Sequence, residues 1–203
     1  MGFYLEIIRN VFQALDEEGK LRNRIVAFTS ATRGEGVSYV VNTIAKELAE
    51  QTHKRVLAVD AVGLQNIRVP EPSQIVRHCS ETQLDNLLTL PAEAVVKGLV
   101  GLRKPTEVKD WHADPEYRAA CLKALRWNFD YIIVDCPSLD ISSDATLLAP
   151  MIDGVSIVVQ AGKTRRPQIH RARQTVENVG GKFLGFVLNQ RSYSVPNWLY
   201  QRL

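Results

Sequence analysis

Residues 31–38 read A-T-R-G-E-G-V-S and fit the pattern G-x-x-x-x-G-K-[ST] with two substitutions. Ala31 takes the first small position, Gly36 the second glycine and Ser38 the hydroxyl that ligates magnesium, while Val37 stands in the lysine's place. A glycine-rich turn opening a helix offers backbone N–H groups and a positive dipole end to phosphate, and neither depends on the lysine. Gly34 and Gly36 permit close backbone approach, with Arg33 and Glu35 between the small residues. The missing lysine is a point charge on the β- and γ-phosphates, which an apolar β-branched side chain does not supply. The candidate phosphate-binding set is therefore Ala31, Arg33, Gly34, Glu35, Gly36, Val37 and Ser38.

Two carboxylates complete the chemistry. Asp60 closes the run V-L-A-V-D and Asp135 closes Y-I-I-V-D. A strand-end carboxylate beside a phosphate loop holds magnesium directly or through water, because a hard divalent ion takes oxygen ligands. Ser38, Asp60 and Asp135 are thus the candidate metal ligands, with ATP and Mg2+ as cofactors, and the two aspartates are the candidate catalytic groups. Strand-end aspartates also cap the next helix or turn, so that role stays open for both. Asp144, in S-S-D-A, divides between a cap for the following helix and a polar group near the phosphates.

The elements that must position these residues are legible as alternating patterns. Nearly apolar β-branched runs lie at 25–28, 56–59, 131–134, 155–159 and 183–188, as in central strands of a parallel sheet covered on both faces. Between them run helical periodicities, Val41, Ile44, Ala45 and Leu48 on one face, and Ile169, Ala172, Val176 and Val179 on another. A further helix is expected over 115–126. The alternation predicts an α/β fold, a doubly wound, mostly parallel sheet flanked by helices with right-handed crossovers. In such sheets ligands bind beyond the carboxyl ends of the strands. The phosphate loop, Asp60, Asp135 and Asn189 all fall at such ends.

The chain of 203 residues suits one domain. Within it, residues 1–20 read as an N-terminal helix with Phe3, Ile7, Val11 and Leu15 on one stripe, and 192–203 as a C-terminal docking tail. The proline-bearing stretch 63–114 is the hardest to parse, with a helix expected near 83–88 and an apolar run at 94–102 that fits strand or helix. Cys79, Cys121 and Cys136 lack C-x-x-C spacing and fit reduced thiols. No apolar run approaches the roughly 18 to 20 residues of a membrane helix, and no leader pattern opens the chain, so a cytoplasmic location is expected. A net charge of +3 does not by itself argue for nucleic acid. Lys163, Arg165, Arg166, Arg171 and Arg173 nevertheless lie close together, as a solvated face or as a contact for an acidic partner or anionic lipid.

Together these motifs resemble the bacterial tyrosine kinases of capsule and exopolysaccharide synthesis, P-loop domains related to the Min and Par ATPases. The family's loop T-S-x-x-x-G-E-G-K-S matches 29–38 with Gly34, Glu35 and Gly36 in register, apart from the lysine. Its V-L-x-x-D-x-D motif matches at Asp60 but has Val62 for the second aspartate, and its F-D-x-x-x-x-D-x-P-P motif matches through Asp130, Asp135 and Pro137, with Ser138 for the last proline. Asp144 with Ala145, the stretch 153–166, and G-F-V-L-N at 185–189 also match. The last resembles the strand leading to the family's adenine-contacting loop, which brings Asn189 into the candidate cofactor-binding set. Of the family's ring-packing E-x-x-R-x-x-R helix, Glu6 and Arg9 remain and Phe12 replaces the last arginine. In place of the family's tyrosine cluster, only Tyr193 and Tyr200 follow the last strand.

In that family the lysine and both aspartates of the second motif cooperate with Mg-ATP. Phosphoryl transfer rests on electrostatics and positioning, so two such losses together remove on the order of 10⁴ in rate. Losing one charge-assisted hydrogen bond, about 1.5 to 3 kcal/mol, weakens nucleotide binding by about one to two decades without abolishing it. The resemblance therefore implies a catalytically impaired kinase-like protein with weak or absent ATP binding, a regulatory partner in polysaccharide synthesis or export. Two alternatives stand beside it, a kinase kept active by a substitute group such as Arg33, and a partitioning-type ATP switch. The implied partners are an inner-membrane polysaccharide chain-length regulator or co-polymerase and like subunits in a homo- or hetero-oligomer, with membrane association through the partner and no nucleic acid.

Overall fold

The computed structural model describes Ile7 and residues 23–66, 87–90 and 111–190. In chain order the elements are β1 (Arg24–Ser30), α1 (Val37–Thr52), β2 (Val56–Asp60), α2 (Ala61–Asn66), β3 (Leu87–Leu90), α3 (Pro115–Asn128), β4 (Tyr131–Asp135), α4 (Asp144–Leu148), β5 (Gly154–Gln160), α5 (Arg166–Asn178) and β6 (Phe183–Asn189). A 3-10 turn, Ala149–Met151, follows α4. Among the described residues the strands form one six-stranded sheet in the order β3-β2-β4-β1-β5-β6, and every pairing is parallel.

The apolar strand runs divide by parity, as the two-residue repeat requires. Ile25, Ala27, Leu57, Val59, Ile132, Val134, Val155 and Ile157 join the core built with α3, α4 and α5. Val26, Phe28, Val56, Ala58, Ile133 and Val158 turn to the other face and meet α1. Both faces are therefore covered, which is why the strands lack an alternating polar pattern. On α1 the expected stripe of Val41, Ile44, Ala45 and Leu48 is buried. On α5 only Ala172 and Val176 are fully buried, and Val179, which lies past the helix end at its C-cap, is exposed.

Helix α3 begins where an Asp-Pro pair makes a start. Asp114 accepts the Tyr117 N–H at 2.9 Å, and Pro115 occupies the first turn, where no N–H is needed. The helix expected near 83–88 is not what forms at its end. Leu87 and Leu88 belong to β3, which pairs with β2 and adds an edge strand missing from the five-run reading. The segment L-L-T-L is too short to show periodicity, and pairing overrides the helical preference of leucine. The remainder of 67–110, including the 94–102 run and Cys79, lies outside the described residues. So do the N-terminal helix apart from Ile7, which is helical and packs against the α1 core, and the 192–203 tail with its tyrosines. Cys121 and Cys136 are buried and in no disulfide among the described residues. No helix among the described residues is long and apolar enough to cross a membrane.

Candidate functional site

At the carboxyl ends of β1 and β4 a cleft of about 310 Å³ opens. Of the expected phosphate-binding set, Arg33, Gly34, Glu35, Gly36, Val37 and Ser38 line it, together with Asp135. Ala31, Asp60 and Asn189 are not in its wall. Ser30, Cys136, Pro137, Ser138 and Ile141, which were not among the candidate site residues, are.

The loop's shape follows from its glycines. Gly34 and Gly36 hold φ of +87° and +85°, in the left-handed region that only glycine enters freely. Gly36 is also the N-cap of α1, with no side-chain cap bond. Its C=O accepts the Val40 N–H at 3.1 Å, while the first-turn N–H groups of Val37 and Ser38 have no intrahelical partner. They face the cleft end of the helix, where an anion is favoured. A Cβ on Gly36 would collide with the Asn189 amide.

Glu35 does something different from its neighbours. Its side chain is buried and acts as an internal acceptor: Oε2 takes the N–H groups of Ala31 at 2.9 Å and Thr32 at 3.3 Å, and Oε1 takes the Thr32 hydroxyl at 3.2 Å and that of Thr164. Thr164 lies between β5 and α5, so one carboxylate ties the loop to the next crossover. Asn189 braces the same loop from β6, its Nδ2 donating to the Glu35 C=O at 2.9 Å. Asn189, placed in the candidate cofactor-binding set, is a buried support of the loop at the end of β6. The Ala31 and Thr32 N–H groups, held by Glu35, are withdrawn from any ligand.

Val37 fills the lysine position and turns partly into the core with Val26, Phe28, Val40 and Val41, leaving 9% of its surface exposed. Among the cleft-lining residues Arg33 is the cation, and it is exposed.

The metal-binding candidates are brought together in part. Asp60 and Asp135 are register partners on adjacent strands, and Ser38 lines the cleft beside Asp135, close enough for its hydroxyl to favour the Asp135 carboxylate. Burial pushes the Asp135 carboxyl above its ordinary range; the Ser38 hydroxyl opposes this and the nearby Asp60 charge adds to it. Asp60 gives one oxygen to the Gly63 N–H, so it also makes the capping contact at the start of α2. Among the described residues no group of three or more His, Cys, Asp or Glu forms a metal cage. A serine hydroxyl beside one buried carboxylate fits Mg2+, which takes few protein oxygens and completes its shell with phosphate and water. Asp144 is not the cap of the following helix, a place that Ser143 takes; it is the first residue of α4, accepts the Ser142 hydroxyl at 2.7 Å and does not line the cleft. Val62 lies in α2.

One cleft residue has an unmet bond. Ser138, at the position where the resemblance has its second proline, is 4% exposed and its hydroxyl has no hydrogen-bond partner among the described residues. The sequence signal was the replacement itself, a donor where an imino acid stands in the motif.

The chain matches no family model. It is 29% identical to "Tyrosine-protein kinase CpsD" of Streptococcus agalactiae serotype Ia, over 96% of this chain and 84% of that protein. To "Tyrosine-protein kinase YwqD" of Bacillus subtilis it is 27% identical, over 94% and 81%. Its homologues are bacterial tyrosine-protein kinases of capsule and exopolysaccharide synthesis, in agreement with the motif resemblance. The fold superposes on the chimerical protein CapA2B2 with a TM-score of 0.68 at 20% identity, covering 94% of this chain and 84% of that one. For the MinD cell division protein of Aquifex aeolicus the TM-score is 0.55 at 19% identity, over 88% and 72%. The doubly wound P-loop fold is the architecture of these proteins.

Proposed function

We propose that this chain is a catalytically impaired tyrosine-kinase-like P-loop protein that retains a phosphate cradle and regulates capsule or exopolysaccharide synthesis or export. The observation that carries the reading is the contrast within one cleft. The N–H groups opening α1 and the Ser38–Asp135 pair remain, while the lysine position holds Val37, packed against core residues. A nucleotide's terminal phosphates would meet the helix end and Ser38, with Mg2+ between Ser38 and Asp135. When bound, the ion would neutralise phosphate charge and relieve the burial of the Asp135 carboxylate.

The chemistry is weakened at two points, the cation at 37 and the carboxylate at 62, and both bear on the transition state rather than on the fold. The proposed partner is drawn from the relatives. A co-polymerase of polysaccharide synthesis is the proposed partner, because "Succinoglycan biosynthesis transport protein ExoP" of Rhizobium meliloti carries a similar segment within a longer chain, 28% identical over 92% of this chain and 25% of that protein. Association with the membrane then runs through that partner.

Titration with a fluorescent ATP analogue and Mg2+ is expected to give occupancy at high micromolar to millimolar ligand, on the order of one to two decades weaker than for Val37→Lys. Radiolabelled phosphate transfer is expected to be absent in the wild type and to appear in Val37→Lys with Val62→Asp. Clear wild-type turnover, lost on Arg33→Ala, would instead establish the second reading, an enzyme in which this cleft-lining cation substitutes for the lysine.

A further inference from the structure

The molecule's positive charge is concentrated on one flank. Residues 160–182 hold six Lys and Arg against the single acid Glu177, an excess greater than the +3 of the whole chain, so the remainder is net acidic. Arg166 and Arg173 fall on one side of α5, two helical turns apart, with Lys163 just before the helix. Lys163 and Arg166 are exposed and enter no ion pair among the described residues.

This basic side adjoins an apolar one. Arg173 sits 5.4 Å from the centroid of the Phe183 ring, and Phe183 packs on Phe186 with centroids 4.7 Å apart. Phe186 and Leu188 are 44% and 43% exposed although they are large and apolar. They alternate with the buried Val187 and Asn189, so they project from one face of β6. Among the described residues β6 is the last strand of the sheet, with β5 as its neighbour. Cations and protruding apolar side chains therefore share the rim formed by α5 and β6.

We infer that this rim binds the surface of an anionic lipid bilayer. Arginine and lysine near such a surface are attracted by its negative potential, and Phe and Leu beside them enter the headgroup boundary. The combination selects this occupant. Nucleic acid would reward the cations but leave Phe186 and Leu188 in water, and an acidic peptide would have to bury two apolar side chains that stand on an edge rather than in a groove. The inference is independent of nucleotide binding and places the protein at the bilayer directly, in addition to any protein partner.

The test is sedimentation of the full chain with phosphatidylcholine vesicles, with and without 30% phosphatidylglycerol. The wild type is expected to pellet with the anionic vesicles and not the neutral ones, and to be released as salt rises. Lys163→Glu with Arg166→Glu is expected to weaken binding by more than about twenty-fold, since each cation removed is worth roughly five-fold. Phe186→Ser should weaken it by about five-fold. Equal pelleting with neutral vesicles, no pelleting with anionic ones, or retention on DNA or a polyglutamate column without vesicle binding would each overturn the inference. The comparison of lipid compositions and of salt uses the wild-type chain, so it decides the matter even where a variant folds poorly.

Discussion

Val37 is the residue on which the chemistry turns, and its two surroundings set what a substitution does. It touches the cleft and the α1 core at once. In Val37→Lys the aliphatic stem keeps part of that packing while the ammonium reaches the cleft. The expected result is a stability loss of about 1 kcal/mol in denaturant melts, with ATP-analogue binding tightened ten-fold or more. At Asp135 the sign is set by burial. Its carboxyl is held above the ordinary carboxylate range in the folded chain, so the unfolded state ionises first. The stability it confers is full below the unfolded value near 4 and is lost as pH rises through the raised folded value. Asp135→Asn is therefore expected to flatten the decline in melting temperature across that acidic window and to raise it at neutral pH without Mg2+. An unchanged pH profile in the variant would count against the buried-carboxylate account. Ser138 carries a third expectation. Its unpartnered buried hydroxyl is available to a ligand in the cleft, so Ser138→Ala should leave folding intact and weaken nucleotide by about five-fold.

At the scale of elements, the loop is held by a carboxylate, and the sequence concealed it. Glu35 occupies a place in the phosphate-loop pattern, and nothing in that pattern tells whether its side chain faces the ligand or the protein. Its partners explain the outcome: two N–H groups and two hydroxyls, one of them from Thr164, neutralise a charge that would otherwise repel phosphate. Glu35→Ala leaves those donors unpaired and is expected to cost about 2 to 3 kcal/mol in thermal unfolding, with nucleotide affinity falling alongside. Glu35→Gln should cost less, because one oxygen remains. The strands were legible for the opposite reason, since each of the five runs is apolar over enough residues to read as a strand; four are covered on both faces as expected, but 183–188 is the end strand β6, with Phe186 and Leu188 exposed. Leu87–Leu90 is too short for that, and its assignment depends on β2, a neighbour about 30 residues earlier in the chain. Asn189 was placed correctly at a strand end, but its inward direction came from β6 pairing with β5.

Across the whole molecule the two ends of the sheet do different work. The carboxyl ends carry the cleft, and the amino ends carry a bracket centred on Asp153. That carboxylate accepts the Ile25 N–H at 2.7 Å and the Arg126 guanidinium at 2.8 Å, with Arg24 at 3.5 Å. It thereby joins the starts of β1 and β5 to the end of α3, linking residues 128 and 27 positions away in sequence. In the sequence Asp153 read only as the first residue of the matching stretch 153–166, because partners at that separation leave no local pattern. The carboxylate is mostly buried, at 16% side-chain exposure, whereas Arg126 at 31% keeps part of its hydration. Asp153→Ala is therefore expected to cost about 2 to 3 kcal/mol, below the range for breaking a fully buried pair. For a chain of this length that is a fall of roughly 4 to 12 °C in melting temperature. Because the bracket lies at the opposite ends of β1 and β5 from the cleft, the ATP-analogue affinity of the folded variant should match the wild type. If affinity and melting temperature fell together at temperatures where the variant is fully folded, the two ends of the sheet would be coupled, and the loop's geometry would depend on more than Glu35 and Asn189.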